Sequence, residues 1–292
     1  MNKKAAKSKA RVLNYDLKSL ALGLLGAALL MAGLIYIYYP AFVWMVDRWT
    51  VRDSYYGHGC LIPLVSLYWL YQKRDLFLTP SGQTGTGGLY LILVGAVTQI
   101  ASYFLRFYFL SAFSFVLVLM GIVFFYFGGQ VFKKTWFPLA FLFLMVPLPL
   151  LVIAQVTLKM KFFVSQISAG IVNFMGIAAA RHGSYIYTPH AVLVVGDPCS
   201  GLRSFLAFFT LGFVFAYDEK LTFGKKAVLV FSGLPLAIIS NVVRVTFLTL
   251  VGEIYGMQYT GPESKVHDAS GIGVFILAFL IFMMIKRKLE IK

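Results

Sequence analysis

The stretch "GDPCSGLRSFLAFFTLGFVFAY", residues 196–217, joins two kinds of sequence. Its second part is a continuous apolar run that reads as a membrane helix. Its first part puts Cys199 and Arg203 about one helical turn apart where that helix begins. The composition of the whole chain agrees with the second part. Of 292 residues, 60% are hydrophobic and 13% charged, whereas a soluble globular domain carries about 25% charged residues. A soluble core could not hide this much apolar surface, so the solvent is lipid.

Apolar runs that approach the roughly 20 residues needed to cross a bilayer recur along the chain. Candidate spans fall at 19–39, 58–72, 87–105, 107–128, 136–157, 201–217, 226–251 and 268–285. The fold expected is an all-α membrane protein of about eight transmembrane helices. The first run follows Lys3, Lys4, Lys7, Lys9, Arg11 and Lys18, as a secretory signal would. Its apolar part is too long for one, and "IYIYYPAFVWM" offers no small-residue cleavage site, so it is kept as an uncleaved span.

The net charge of +15 comes from basic residues scattered through the connections rather than gathered in one patch. With the N-terminus inside, 17 of the 26 Lys and Arg fall in short segments on the inner side, the asymmetry of cytoplasmic loops. The charge therefore orients the chain and attracts anionic membrane lipid; no nucleic acid is implied. Both termini, 1–18 and 286–292, are expected in the cytoplasm.

On the outer side the longest segment is 158–200. It opens with "KMKFFVSQISAGIVNFMGIAAA", 159–180, where Lys159, Lys161, Gln166 and Asn173 interrupt the apolar pattern, so an interfacial helix is expected; the alternative is a ninth span, which would reverse the sidedness of everything downstream. Gly183, Pro189 and Gly196 then punctuate two β-like runs, "SYIY" and "AVLVV", which read as a short hairpin delivering the chain to Cys199. No repeat, low-complexity tract or linker appears, so residues 1–292 form one polytopic domain. No accessory extension is expected after the last span, since the chain stops at "KRKLEIK".

This topology brings three side chains to one face. Cys199 stands at the outer start of the sixth span. Arg244 lies 18 residues beyond Lys226, roughly 27 Å of helix, and so reaches the same boundary. His267 opens the eighth span there. An isolated cysteine is commonly a small buried hydrophobe, and a lone histidine is commonly a cap. An arginine inside an apolar helix costs at least about 2.5–3.5 kcal/mol and usually faces a cavity or partner, although one near the boundary can snorkel. Together the three support acyl transfer: a thiolate attacks a carbonyl, an imidazole protonates the leaving amine, and a guanidinium holds the oxyanion. Arg203 and the helix start are both expected to favour thiolate over thiol. The rival readings are a thiol–disulfide carrier using Cys60 and Cys199, and a transporter or scaffold with a polar cavity. No metal or cofactor is implied, because the histidines lack ligand spacing and no phosphate-binding loop appears.

At these residues the chain resembles the exosortase and archaeosortase family of integral-membrane cysteine transpeptidases. The motifs are "CSGLRS" at 199–204, "NVVRV" at 241–245 and "HDASG" at 267–271, supported upstream by "YYGHG" at 55–59 and "FLMVPLP" at 143–149. The resemblance implies Cys199 as nucleophile, Arg244 as transition-state stabiliser and His267 as general acid/base. Arg203, Asn241, Asp268 and His58 are supporting residues. It implies a multi-pass protein of the cytoplasmic membrane with its active site on the outer face. Its substrates are exported proteins that end in a sorting signal: a motif such as Pro-Glu-Pro, one transmembrane helix and a basic cluster. The acceptor of the cleaved chain is an unidentified nucleophile: water, a lipid amine or a glycan. One departure is Cys60, where the pattern has a bulky apolar residue; a Cys60–Cys199 disulfide there would silence the nucleophile.

Overall fold

The computed structural model describes residues 3–51, 54–78, 85–218, 221–261 and 264–291. Lys220 and Lys292, counted above among the inner basic residues, lie outside them. The fold is all-α with one small sheet. In chain order the helices are α1 Lys3–Thr50, α2 Leu61–Gln72, α3 Asp75–Leu78, α4 Thr86–Leu105, α5 Tyr108–Phe141, α6 Leu150–Phe174, α7 Leu202–Asp218, α8 Phe223–Phe231, α9 Gly233–Tyr255 and α10 Lys265–Ile291. Strands β1 Ala180–His182, β2 Tyr185–Tyr187 and β3 Val192–Val194 form an antiparallel sheet in the order β1-β2-β3. Large apolar side chains such as Leu64, Val97, Phe104 and Ile239 remain exposed on the helices, as a surface wetted by lipid requires.

Among the described residues six helical stretches are long and apolar enough to cross a membrane, and α2 and α7 are shorter apolar helices. One of the six, Tyr108–Met145, is two arms rather than one. Gly128 interrupts α5 with φ 80° and ψ 171°, a conformation open to glycine and strained for other residues. Beyond it the chain doubles back: the rings of Phe124 and Phe132 stack at 4.6 Å, and those of Phe113 and Phe143 meet at 4.5 Å. A straight helix would hold that last pair about 45 Å apart. Residues 108–127 and 129–145 therefore run antiparallel.

Three expected boundaries move. The first span continues past Pro40 to Thr50, so the segment expected to leave the membrane at 40 is still helical. The span expected at 136–157 is not one helix. It stops in a 3-10 turn, Leu142–Met145, and Val146 is extended, as a residue before proline tends to be. Pro149 then caps a new helix, so α6 begins at Leu150 rather than near 159 and ends at Phe174 rather than 180. By length and composition α6 is one of the six stretches able to cross. The hairpin of "SYIY" and "AVLVV" is present as β2 and β3, with β1 added on its other side.

Three strands of three residues cannot hold themselves together in isolation. Ile186, Leu193 and Val195 bury themselves against Val164 of α6 and Val242, Val245 and Leu248 of α9. Each such side chain contributes about 1.5–3 kcal/mol. Cys199 belongs to the same cluster, so the packing that stabilises the sheet also fixes the thiol.

Candidate active site

Cys199 closes a 3-10 turn, Asp197–Cys199. The turn is fastened from three directions. Its own backbone bonds run from Cys199 N–H to the Gly196 carbonyl at 3.0 Å and from Ser200 N–H to the Asp197 carbonyl at 3.1 Å. From α6, Lys161 Nζ pairs with Asp197 Oδ1 at 2.6 Å. From α9, Asn241 Nδ2 donates to the Cys199 carbonyl oxygen. Gly201 then turns the chain into α7 with φ +82°. A Cβ at that position would lie 3.2 Å from Asn241 Cβ and 3.4 Å from the Ala237 carbonyl, so glycine serves both the backbone conformation and the close approach to α9.

His267 is delivered by the first turn of α10. Ser264 Oγ accepts the His267 N–H at 3.1 Å, the bond of a helix N-cap to an otherwise unsatisfied amide. The imidazole then faces the thiol, with Nε2 3.2 Å from Cys199 Sγ. Its other nitrogen, Nδ1, lies 3.6 Å from Asp268 Oδ1. Cys199 is 5% exposed and His267 8%, so the contact is shielded from water.

Arg244 completes the group from α9. Its Nη2 lies 3.3 Å from His267 Nε2 and donates to the His267 carbonyl at 3.1 Å. Its Nε donates to Ser270 Oγ at 3.3 Å, and Ser270 Oγ donates to that same carbonyl at 2.7 Å. Gly271 makes room for the guanidinium, since a Cβ there would lie 3.0 Å from Nη2. Three helices and one turn therefore lock a thiol, an imidazole and a guanidinium into one network.

Burial and charge pull the thiol in opposite directions. Desolvation pushes the Cys199 pKa up, and the nearby charges of Arg244 and Arg203 pull it down; burial is the larger effect and the net shift is upward. Arg203 pulls toward the thiolate as expected, but burial outweighs it. A thiol held neutral by burial needs a base within reach, and His267 Nε2 is that neighbour.

The supporting residues divide. Arg203 acts on Cys199 through charge, Asn241 through a hydrogen bond, and Asp268 lies beside the distal nitrogen of His267. His58 is not brought to this group: its Nε2 sits 3.3 Å from Thr210 Oγ1, and its ring stacks on Tyr56 at 6.2 Å. Cys60 is exposed with its Sγ near the Gly57 carbonyl, and both cysteines are free, so the disulfide is not formed. Lys161, Ser264, Ser270 and Gly271 escaped the sequence reading as site residues. Two of them stand inside "HDASG", where their place beside His267 was the available signal.

Fold and site together define a polytopic membrane protein with a buried cysteine–histidine pair under an arginine. The sequence matches the transmembrane exosortase family over residues 49–284, most of the chain. The protein belongs to that family, which is one of cysteine transpeptidases. No curated protein and no solved structure matches it.

Proposed function

We propose that this protein cleaves the C-terminal sorting signal of exported proteins through a thioester on Cys199 and passes the cleaved chain to an acceptor nucleophile. The observation that carries this reading is the 3.2 Å contact between Cys199 Sγ and His267 Nε2 inside the Arg244 network. His267 takes the thiol proton as sulfur bonds to the scissile carbonyl carbon, and Arg244 stabilises the oxyanion. The tetrahedral intermediate collapses to a thioester, while His267 returns the proton to the departing amine. The acceptor then loses its proton to His267 and displaces the thiol, which regenerates Cys199.

With α6 lying at the interface, the distribution of Lys and Arg supports a reading in which both termini are cytoplasmic and the site is on the outer face of the cytoplasmic membrane. A substrate whose signal is one transmembrane helix with a basic tail then enters laterally, with the bond beside a Pro-Glu-Pro-type motif at the depth of Cys199. The experiment is Cys199→Ala in the full chain. The variant inserts and folds, and the precursor accumulates with its helix intact. Normal maturation in that variant would refute the thioester route.

A further inference from the structure

Among the described residues, the edge of the sheet beside Cys199 has no strand partner. In an antiparallel pair, residues alternate between pointing both backbone polar groups at the partner strand and pointing both away. The β2–β3 register pairs Tyr187 with Val192, Ile186 with Leu193 and Tyr185 with Val194. Bonds run from Thr188 N–H to the Ala191 carbonyl and from Val195 N–H to the Ser184 carbonyl, both at 2.9 Å. That parity turns the groups of Leu193 toward β2 and aims those of Val192 and Val194 at the free edge. Among the described residues β3 is the last strand of the sheet.

A cleft of about 120 Å³ lies beside β3. Leu193, Val194, Val195 and Gly196 all line it, and so do Cys199 and His267. Leu193 and Val195 turn their side chains to the face that packs on Val245 and Leu248, which line the cleft too. Its far wall is α9 and the turn at Thr260. Its volume is close to the roughly 150 Å³ that accommodates benzene in an engineered cavity, room for one small apolar side chain. The 51% exposed Val194 keeps the strand approachable.

We infer that the substrate segment next to the scissile bond binds as a fourth strand on β3. The inference rests on the proposed function, since the occupant is the polypeptide that Cys199 attacks. An extended peptide alone supplies what the edge lacks: an N–H and a C=O from one residue to meet those of Val194, with the next side chain turned into the apolar cleft. Past Gly196 the strand turns into the Asp197–Cys199 turn, so a peptide aligned on Val194 runs on to the thiol. Main-chain pairing holds the scissile carbonyl beside Sγ, while the side-chain subsite selects for small apolar residues.

The test uses the full-length protein in membranes and a precursor carrying a Pro-Glu-Pro segment, a 20-residue apolar helix and an arginine tail. Val194→Pro removes the edge N–H without touching a bond to β2, and proline is tolerated on an edge whose N–H faces away. Processing is expected to fall roughly tenfold or more, the effect of an unmatched buried acceptor, with the melting temperature unchanged. A second arm does not depend on that variant folding. In Cys199→Ala protein, a photo-crosslinking benzoylphenylalanine at position 194 is expected to capture the precursor at its motif, whereas one at Tyr185, the cross-strand neighbour one strand further away, captures little. Wild-type processing by Val194→Pro, or crosslinking from position 194 no stronger than from 185, overturns strand pairing and leaves the thioester reading standing. A precursor left uncut by the wild type, or cut by Cys199→Ala, overturns that reading and this inference with it.

Discussion

Two histidines of this chain sit in short glycine-containing motifs at the start of an apolar helix, yet their surroundings differ. His267 of "HDASG" faces a thiol at 3.2 Å, has a carboxylate beside its other nitrogen and a guanidinium against its ring. His58 of "YYGHG" meets the Thr210 hydroxyl and the face of Tyr56. Its motif is occupied with bracing. Tyr56 Oη accepts the Leu148 N–H at 3.1 Å, Trp49 Nε1 donates to the Met145 carbonyl at 3.0 Å, and a Cβ at Gly59 would strike the Trp49 indole at 2.3 Å. "YYGHG" and "FLMVPLP" are thus halves of one joint, which packs Tyr56 and Ile153 beneath Leu202, the first residue of α7 after the nucleophile turn. One histidine has groups that can exchange a proton with a reacting centre, and the other has groups that only hold it. Residue type and motif do not separate them; neighbours do.

The largest expected effect tests that contrast directly. His267→Gln loses the base and acid of both half-reactions, and processing falls by about 10²–10⁴, the range of a positioned general acid–base group. His58→Gln keeps a side chain able to bond Thr210 and stays within about threefold. Equal losses in a precursor-processing assay would erase the distinction.

Arg244 comes next. If it only snorkels or balances charge, lysine replaces it with little loss. Its fork instead serves the His267 carbonyl and Ser270 together, which a single ammonium cannot match. Arg244→Lys is therefore expected to lose about 10²–10³ in rate, the cost of one oxyanion donor, and to approach Arg244→Ala. Arg203→Lys retains partial activity, since charge at that position is its contribution to the thiol. Near-native turnover by Arg244→Lys would leave a Cys199–His267 pair acting without it.

A smaller effect concerns the resting thiol. Because burial raises the Cys199 pKa, the thiolate is scarce at neutral pH and its fraction climbs as pH rises through the elevated value. Iodoacetamide alkylation of Cys199 in a Cys60→Ser background should keep rising beyond the pH at which an ordinary thiol levels off. Arg244→Ala removes the larger of the two charges that oppose burial, so it moves the curve further alkaline. A plateau reached at acidic pH would mean a thiolate–imidazolium pair at rest.

Much of this was legible because it depends on local pattern. Apolar runs marked the arms, although the arm after the reversal at Gly128 runs 129–145 rather than 136–157, and turn residues marked the β2–β3 hairpin. Helix rise from Lys226 carried Arg244 to the level of Cys199. What escaped depends on tertiary packing. The start of α6 at Leu150 is the exception, since Pro147 and Pro149 mark the break locally and the apolar run reads on across them. Thiol desolvation could not be read from Arg203 at i+4, since the apolar cluster around Cys199 is assembled from α6, α9 and the sheet. His58 resembled a site residue because its motif is polar, whereas its partners come from α7, and Lys161 reaches Asp197 across a long stretch of intervening chain.

The smallest effect belongs to the brace, and it separates holding from chemistry most finely. Tyr56 is buried, and its hydroxyl accepts a backbone N–H inside "FLMVPLP", in the break before α6. Tyr56→Phe keeps the ring against Ile153 and Leu202 and removes only that acceptor, leaving the Leu148 amide unmatched. The cost is about 1–3 kcal/mol of stability. It should appear as a lower melting temperature in detergent, while processing at a temperature where the variant is folded stays within about threefold, because Cys199, His267 and Arg244 keep their contacts. A large loss of processing with no change in melting temperature would mean that this joint reaches the chemistry after all, and the two histidine regions would then have to be treated as one site.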